Sequence, residues 1–273
     1  MTDALSPQQV RFFETWGYLV LPGLLAGDIA EITDEFEAVF RDRGITHDPA
    51  KRSCIVPFAD QRARLCALLD DPRIEGAIAS LLGEDFNYLG SDGNFYTGDT
   101  GWHSDGFHTV GTFLKVAFYL DPVGADTGAL RVIPGSHRVV AGARWESLNA
   151  ARSESLWGIH QREVPAVALV SVPGDVVLFN HNLMHAAFGG GTRRRMFTLN
   201  CSRRADTAEE IADLESFIAG AARFWIDRTH GDVMRDTATP GRVRHLAQVV
   251  THEKHLPALA AKARAQMSEP ARG

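Results

Sequence analysis

The sequence predicts a mainly β fold with flanking helices, in which a barrel or jelly roll forms the core. Short β-type runs separated by glycine-rich turns extend from Phe86 to about Cys201. Because each run is short and bounded by turns, the pattern favours a barrel or jelly roll over a βαβ series. Helix-start patterns on both sides of this region indicate that helices flank the core.

The N-terminal part, about residues 1–84, is predicted to be largely helical. Proline is tolerated at the first helical position, and glycine suits the residue that follows the last one. On these grounds we expect a helix from Ser6-Pro7 to Gly17, a strand at residues 18–21, a helix from Asp28 to Gly44 and a helical stretch over residues 61–82.

The β core is expected at about residues 86–202, followed by a C-terminal helical part at about residues 206–273. The clearest predicted strands are residues 113–120, 130–133, 166–172, 176–179 and 196–201. Thr207 and Glu210 form a capping-box pattern that opens the last part. Neither a repeat nor a Pro/Gly/Ser linker divides the sequence, so we predict a single domain over residues 1–273.

Composition restricts the class of protein. The net charge is −6, and 45% of the residues are apolar, which disfavours a dedicated nucleic-acid binder. The sequence has no run of roughly 18 apolar residues and no basic, apolar start, so we predict a cytoplasmic protein without a membrane span. The three cysteines, Cys54, Cys66 and Cys201, are scattered and predict neither a disulfide framework nor a thiolate zinc site.

His103-Ser104-Asp105 places two candidate metal ligands two residues apart. On an extended strand this spacing points both side chains to the same face, where one metal ion could contact both. Two imidazoles and one carboxylate with open positions are typical of non-haem Fe(II) oxygenases. A second imidazole from elsewhere in the chain would complete such a set.

The segment from Pro173 to His185 offers that imidazole. A tight turn leads into a buried strand, and the strand ends in polar residues with His181 and His185 as candidate ligands. Three arginines, Arg193 to Arg195, follow about ten residues later and open another strand. An inward arginine beside a metal could hold a carboxylate with two hydrogen bonds.

These residues resemble the phytanoyl-CoA dioxygenase family of Fe(II)/2-oxoglutarate oxygenases. The resemblance covers most of the chain and rests on four segments in order: residues 5–25, Trp102-His103-Ser104-Asp105-Gly106, residues 128–137 and the run from Gly174-Asp175 to His185. It implies a double-stranded β-helix core, with Fe(II), 2-oxoglutarate and O₂ as cofactor and cosubstrates. It also implies hydroxylation of a small molecule, with desaturation or epoxidation as alternatives.

The resemblance also assigns candidate site residues. His185 is chosen over His181 as the distal metal ligand, because His181 lies only two residues past the strand. Arg194 is predicted to anchor 2-oxoglutarate, with Arg193 as the alternative and Arg195 facing the other way. The residues expected near the cosubstrate are Lys115 and Tyr96, and those proposed for the substrate pocket are His108 and Trp145.

Other interpretations remain open at this stage. A cupin-like metalloenzyme could use the same three ligands without 2-oxoglutarate, and a barrel without catalysis could bind a small molecule or partner. Lys115 could instead face outward from its apolar run. Four C-terminal histidines lack ligand spacing and are predicted to lie on the surface: His230, His245, His252 and His255. The sequence predicts neither the substrate nor the oligomeric state.

Overall fold

The computed structural model describes residues 4–138 and 152–272, and two antiparallel sheets form its centre. The larger sheet has the strand order β1 (Tyr18–Leu21), β8 (Val176–Asn180), β5 (Phe113–Tyr119), β10 (Arg194–Ser202), β3 (Asn87–Tyr96) and β2 (Ser53–Ile55). The smaller sheet has the order β4 (Thr100–His103), β9 (His185–Ala187), β6 (Leu130–Val132) and β7 (Val167–Leu169). With helices flanking these sheets, the predicted double-stranded β-helix class is confirmed.

The N-terminal elements are α1 (Pro7–Trp16), β1 (Tyr18–Leu21), α2 (Ile29–Asp42), β2 (Ser53–Ile55), α3 (Ala63–Cys66) and α4 (Pro72–Leu82). Ser6 caps α1 in a capping box with Gln9, and Gly17 ends it at a φ of 83°. β1 and β2 pair with β8 and β3 as the two edges of the larger sheet. The predicted helical part therefore also completes the β core.

The predicted helical stretch over residues 61–82 is wrong in one respect, because it is not continuous: it is interrupted between α3 and α4. Pro72 has no N–H group and cannot continue a helix, but it suits a first helical position. The Asp71 side chain accepts a hydrogen bond from the Arg73 backbone N–H (2.9 Å) and caps the new helix.

The remaining strands are β3 (Asn87–Tyr96), β4 (Thr100–His103), β5 (Phe113–Tyr119), β6 (Leu130–Val132), β7 (Val167–Leu169), β8 (Val176–Asn180), β9 (His185–Ala187) and β10 (Arg194–Ser202). The C-terminal part of the chain contains α6 (Ala208–Gly220), α7 (Asp232–Asp236), α8 (Pro240–His252) and α9 (Leu256–Gln266), while α5 (Ser153–Trp157) precedes β7. As expected, Thr207 and Glu210 form the capping box of α6.

The core consists of several apolar clusters around the larger sheet. On one side, α2 contributes Phe36 and Phe40, which contact the rings of Phe58 and Phe95 at centroid distances between 4.6 and 6.0 Å. The C-terminal helices form another cluster around Phe113 of the sheet. None of the described helices is long and apolar enough to cross a lipid bilayer.

Candidate metal centre

Three side chains converge where the smaller sheet ends: His103, Asp105 and His185. β4 and β9 pair with His103 directly opposite His185. The backbone N–H of Asp105 donates to the His181 carbonyl (2.9 Å), which holds the loop after β4 against the segment before β9. The three ligand atoms lie within 4.8 Å of one another, a separation that one metal ion can bridge.

Backbone contacts orient both imidazoles in the same way. Nδ1 of His103 lies 2.8 Å from the Gly101 carbonyl, and Nδ1 of His185 lies 2.8 Å from the Leu183 carbonyl. A carbonyl can only accept, so each Nδ1 carries the proton and each Nε2 keeps a free lone pair. The Nε2 atoms lie 3.9 and 3.7 Å from the Asp105 carboxylate oxygens. Each histidine therefore offers Nε2 to a metal.

The surroundings of Asp105 and His185 keep both side chains in the protonation state that binds a metal ion. Burial alone would raise the pKa of Asp105, but the charge of Lys115, 2.9 Å away, and the neighbouring histidines hold it well below its usual range. Burial lowers the pKa of His185 to about 4. At neutral pH the site thus presents one carboxylate and neutral imidazole, which suits a divalent metal ion.

His181, the alternative ligand, lies beside this group but is not part of it. Its side chain is 1% exposed and lines the cavity that His103, Asp105 and His185 also line. Neither ring nitrogen has a hydrogen-bond partner among the described residues. Burial lowers the pKa of His181 to about 3, so its ring is neutral at neutral pH.

Arg194 is buried in the same cavity with unused hydrogen-bond donors. The residue is 5% exposed, and its Nε and NH1 atoms have no partner among the described residues. A Cβ atom on Gly128 or Gly190 would lie 1.9 Å from NH1, so these glycines make the space for the guanidinium. A buried cation with free donors fits the carboxylate of a ligand.

The neighbouring arginines have other partners. Arg195 forms ion pairs with Asp121 (2.5 Å) and Glu37 (2.9 Å). The side chain of Arg193 is 52% exposed and binds Glu37 at 2.8 Å. Only Arg194 of these three lines the cavity.

The other candidate residues have different positions. Lys115 and Tyr96 both line the cavity, so Lys115 faces inward. The Tyr96 ring lies beneath the Arg194 guanidinium, at 5.1 Å from ring centroid to guanidinium carbon. His108 is not among the residues that line the cavity, so its contact with substrate stays a prediction, and Trp145 lies outside the described residues.

His108 is held behind the cavity by neighbours that explain this position. Its ring stacks on Phe113 at a centroid distance of 3.5 Å, and its Nδ1 lies 3.0 Å from the Asp213 carboxylate. Both partners come from elements that pack behind His181. Such a contact between distant segments has no local sequence pattern.

Three charged residues that line the cavity were not predicted from the sequence: Arg52, Asp92 and Arg223. Together with the residues described above they line a cavity of about 770 Å³. Asp92 lies on β3 two residues from Gly90 and Asn94, and this alternation of small or polar residues on one face could have indicated an inward polar surface. Arg52 lies in a loop and Arg223 in a short 3₁₀ turn, and neither segment is long enough for a periodicity to mark the inward side.

Comparisons with known proteins agree with this geometry. The family model for phytanoyl-CoA dioxygenase matches residues 13–196. The ectoine dioxygenase of Bordetella bronchiseptica is 26% identical over 221 residues, which are 68% of this chain and 70% of that protein.

Solved structures extend the comparison. EctD from S. alaskensis has a TM-score of 0.56 and 26% identity, with 73% of this chain and 78% of EctD covered. EctD has been solved with bound Fe and with 2-oxoglutarate and 5-hydroxyectoine. The carbocyclase SnoK from nogalamycin biosynthesis has a TM-score of 0.61 at 22% identity, with 75% of this chain and 86% of SnoK covered, and it supports the fold alone.

Proposed function

The chain belongs to the phytanoyl-CoA dioxygenase family, and from that premise we propose that it is an Fe(II)- and 2-oxoglutarate-dependent oxygenase that hydroxylates a small molecule. One observation carries the proposal. A His-Asp-His group and a buried arginine with free donors line the same cavity. The two related dioxygenases at 26% identity support the same class of chemistry.

The donor set fits iron. Two imidazole nitrogens and one carboxylate oxygen, with space left beside them, match the facial arrangement of non-haem Fe(II) enzymes. His103, Asp105 and His185 would hold the metal. When bound, Fe(II) and 2-oxoglutarate supply the oxidation: O₂ is consumed, 2-oxoglutarate is decarboxylated to succinate, and a substrate C–H bond is oxidised.

The chain's own residues would bind and orient the reactants. Arg194 would bind the far carboxylate of 2-oxoglutarate with donors of its guanidinium group, and Tyr96 packs against the guanidinium. Lys115 keeps Asp105 ionised through their 2.9 Å contact. Phe179 and Tyr119 are buried rings that also line the cavity.

Asp105 supports hydroxylation as the outcome. Related halogenases lack this carboxylate, so that chloride takes its place beside the metal. A carboxylate held by its backbone and by Lys115 leaves no such vacancy. Product analysis by mass spectrometry would distinguish an added oxygen from the loss of two hydrogens.

Iron binding by single variants tests the assignment of ligands. Under nitrogen, we expect one Fe(II) per wild-type chain, and a loss of affinity on the order of 100-fold or more for His103→Ala, Asp105→Ala and His185→Ala. His181→Ala is the matched control because it removes an equally buried neighbouring imidazole, and it should retain iron. Loss of iron in His181→Ala with retention in His185→Ala would overturn the assignment.

A further inference from the structure

The cavity extends beyond the candidate metal centre to a wall of charged side chains that the proposed iron and 2-oxoglutarate do not use. Arg52 precedes β2, Asp92 lies on β3, and Arg223 lies in the short 3₁₀ turn after α6. The apolar rings of Phe217 and Phe224 line the same part of the cavity. This wall therefore combines charge with apolar surface.

Arg52 is fixed in place but keeps free donors. Its Nε donates to Asn94 (2.9 Å), and Asn94 donates in turn to the Asp92 carboxylate (2.6 Å), which also accepts from Thr198. The NH2 of Arg52 is 3.9 Å from Asp92, too far for a hydrogen bond. NH1 and NH2 of Arg52 thus remain available to a ligand within the described part of the chain.

The backbone of Arg223 is held by a hydrogen bond, while its guanidinium group remains available to a ligand. Its carbonyl accepts from the backbone N–H of Ala271 (2.9 Å). Two residues on, Trp225 adopts the left-handed conformation (φ 60°), and Arg264 donates to its carbonyl. Among residues 4–138 and 152–272, the Arg223 guanidinium contacts the Phe224 ring (4.6 Å) and pairs with no carboxylate.

Arg52 and Arg223 line the same cavity. Burial raises the pKa of the Cys54 thiol to about 12, and the charges of both Arg52 and Arg223 oppose this rise. Cys54 follows Arg52 by two positions in the edge strand β2. Because both arginines line the same cavity, one ligand could contact both.

The charges in the cavity do not balance without another anion. Those of Fe(II), Asp105 and Arg194 would cancel against the two carboxylates of 2-oxoglutarate. Lys115, which contacts Asp105 at 2.9 Å, and the two arginines Arg52 and Arg223 then add three positive charges, and Asp92 adds one negative charge. Arg223 is exposed to solvent, but the charge of the half-buried Arg52 is costly unless it is paired. The remaining ligand should therefore bring negative charge.

We propose that the prime substrate is a small organic anion with an apolar carbon skeleton, whose acid group is bound by Arg52 and Arg223. This inference rests on the proposed function, because it assumes that iron and 2-oxoglutarate fill the rest of the cavity. Carboxylates and phosphates share the required chemistry, since a guanidinium group can bind either with two hydrogen bonds. Phe217 and Phe224 would contact the apolar skeleton.

Four probes with the same carbon chain test the charge preference: octanoate, octyl phosphate, octylamine and octanol. Binding is measured by calorimetry to protein loaded with Fe(II) and 2-oxoglutarate under nitrogen. We expect octanoate or octyl phosphate to bind about 10-fold more tightly than octanol, and octylamine to bind most weakly. The first two probes distinguish a carboxylate from a phosphate substrate.

Substitutions of Arg223 test whether the arginines cause the preference for anionic probes. Arg223→Gln should weaken binding of the preferred anion about 10-fold, and Arg223→Glu should favour octylamine. Arg228→Gln is the matched control, because Arg228 is exposed, pairs with Asp232 at 2.7 Å and does not line the cavity. Thermal unfolding of each variant reports whether the fold is retained.

The failures of the two proposals are distinguishable. 2-Oxoglutarate binding is measured in the same cell before each probe is added, and its absence would contradict the proposed function. If 2-oxoglutarate binds, the anion proposal is overturned by tighter binding of octylamine than of either anion. Absence of anion binding, or equal binding by the Arg223→Gln and Arg228→Gln variants, would also overturn it.

Discussion

At the scale of single residues, three adjacent arginines differ in what they can do. Arg194 is buried with free donors, whereas Arg193 and Arg195 form ion pairs with carboxylates of the chain. An unpaired buried cation destabilises the fold, so its retention is best explained by a ligand. This contrast makes Arg194 a sharp test of the proposed cosubstrate site.

We predict that Arg194→Lys weakens 2-oxoglutarate binding by roughly 30-fold or more, which corresponds to the ~2 kcal/mol lower limit for losing one partner of a buried, hydrogen-bonded charge pair. Lysine keeps the charge but loses the planar fork. Calorimetry with Fe(II)-loaded protein under nitrogen measures the change. Arg193→Lys is the control, and an equal effect of both substitutions would contradict the assignment.

Two C-terminal histidines that were predicted to lie on the surface are fully buried, and this prediction is wrong for them. His230 and His245 are both 0% exposed. Nε2 of His230 lies 2.8 Å from the Tyr88 carbonyl, and Nδ1 of His245 lies 2.9 Å from the Phe86 carbonyl. Ligand spacing in the sequence says nothing about such structural hydrogen bonds between distant segments.

The burial of His230 predicts a pH-dependent stability. Burial lowers the pKa of His230 in the folded protein, whereas an unfolded histidine has a pKa of about 6.5. The stabilising contribution is therefore complete above pH ~6.5 and is lost as the pH falls below that value, by at most ~1.4 kcal/mol per pH unit. Urea unfolding at pH 7.5, 6.5 and 5.5 measures this loss.

His230→Gln should reduce the dependence, because glutamine can still donate to the Tyr88 carbonyl but does not titrate. The variant is expected to lose less free energy of unfolding between pH 6.5 and 5.5 than the wild type does. Equal losses in the two proteins would show that His230 does not contribute.

Sequence patterns foresaw part of this residue-level chemistry. The His103 and Asp105 spacing predicted two ligands that the structure brings together with His185. The contact between Lys115 and Asp105 was not predicted, because it joins β5 to the loop after β4. Pairwise distances between strands depend on register, which a single sequence does not specify.

At the scale of elements, the loop between β9 and β10 positions the Arg194 guanidinium. A Cβ atom on Gly190 would lie 1.9 Å from Arg194 NH1 and 2.7 Å from the Gly98 carbonyl oxygen. A Cβ atom on the adjacent Gly191 would meet nothing within 4 Å. The two glycines therefore form a matched pair for testing the shape of the site.

We predict that Gly190→Ala weakens 2-oxoglutarate binding by about 10-fold, since overpacking costs typically 1–3 kcal/mol, and that Gly191→Ala leaves it within about 2-fold. Both variants are titrated with 2-oxoglutarate after loading with Fe(II), and thermal unfolding separates lost binding from lost stability. Unchanged binding in a stable Gly190→Ala variant would contradict the proposed position of the cosubstrate.

The predicted strands were close to the observed ones where apolar residues dominate. β5 and β8 end within one residue of the expected limits, and both are almost entirely buried. β3 was not identified as a separate strand, because polar residues and two glycines interrupt its pattern. Those residues are there because one face of β3 lines the cavity, so function disturbs the regular alternation.

At the scale of the whole molecule, the fold brings together residues that are far apart in the sequence. Arg52, Asp105 and Arg223 come from three different parts of the chain and line one cavity. The composition and the order of elements predicted the fold class, but the contents of the cavity depend on how helices and loops close over the β core. The same fold can serve many substrates, which is why the substrate class had to be inferred from cavity charge.

The central claim is that this chain couples Fe(II) to the oxidation of 2-oxoglutarate. The most direct measurement is the formation of succinate from 2-oxoglutarate with Fe(II), ascorbate and O₂, across a panel of substrates that includes organic anions. We expect iron-dependent succinate from the wild type and none above background from Asp105→Ala. A wild-type protein that binds one Fe(II) per chain yet forms no iron-dependent succinate with any substrate would contradict it.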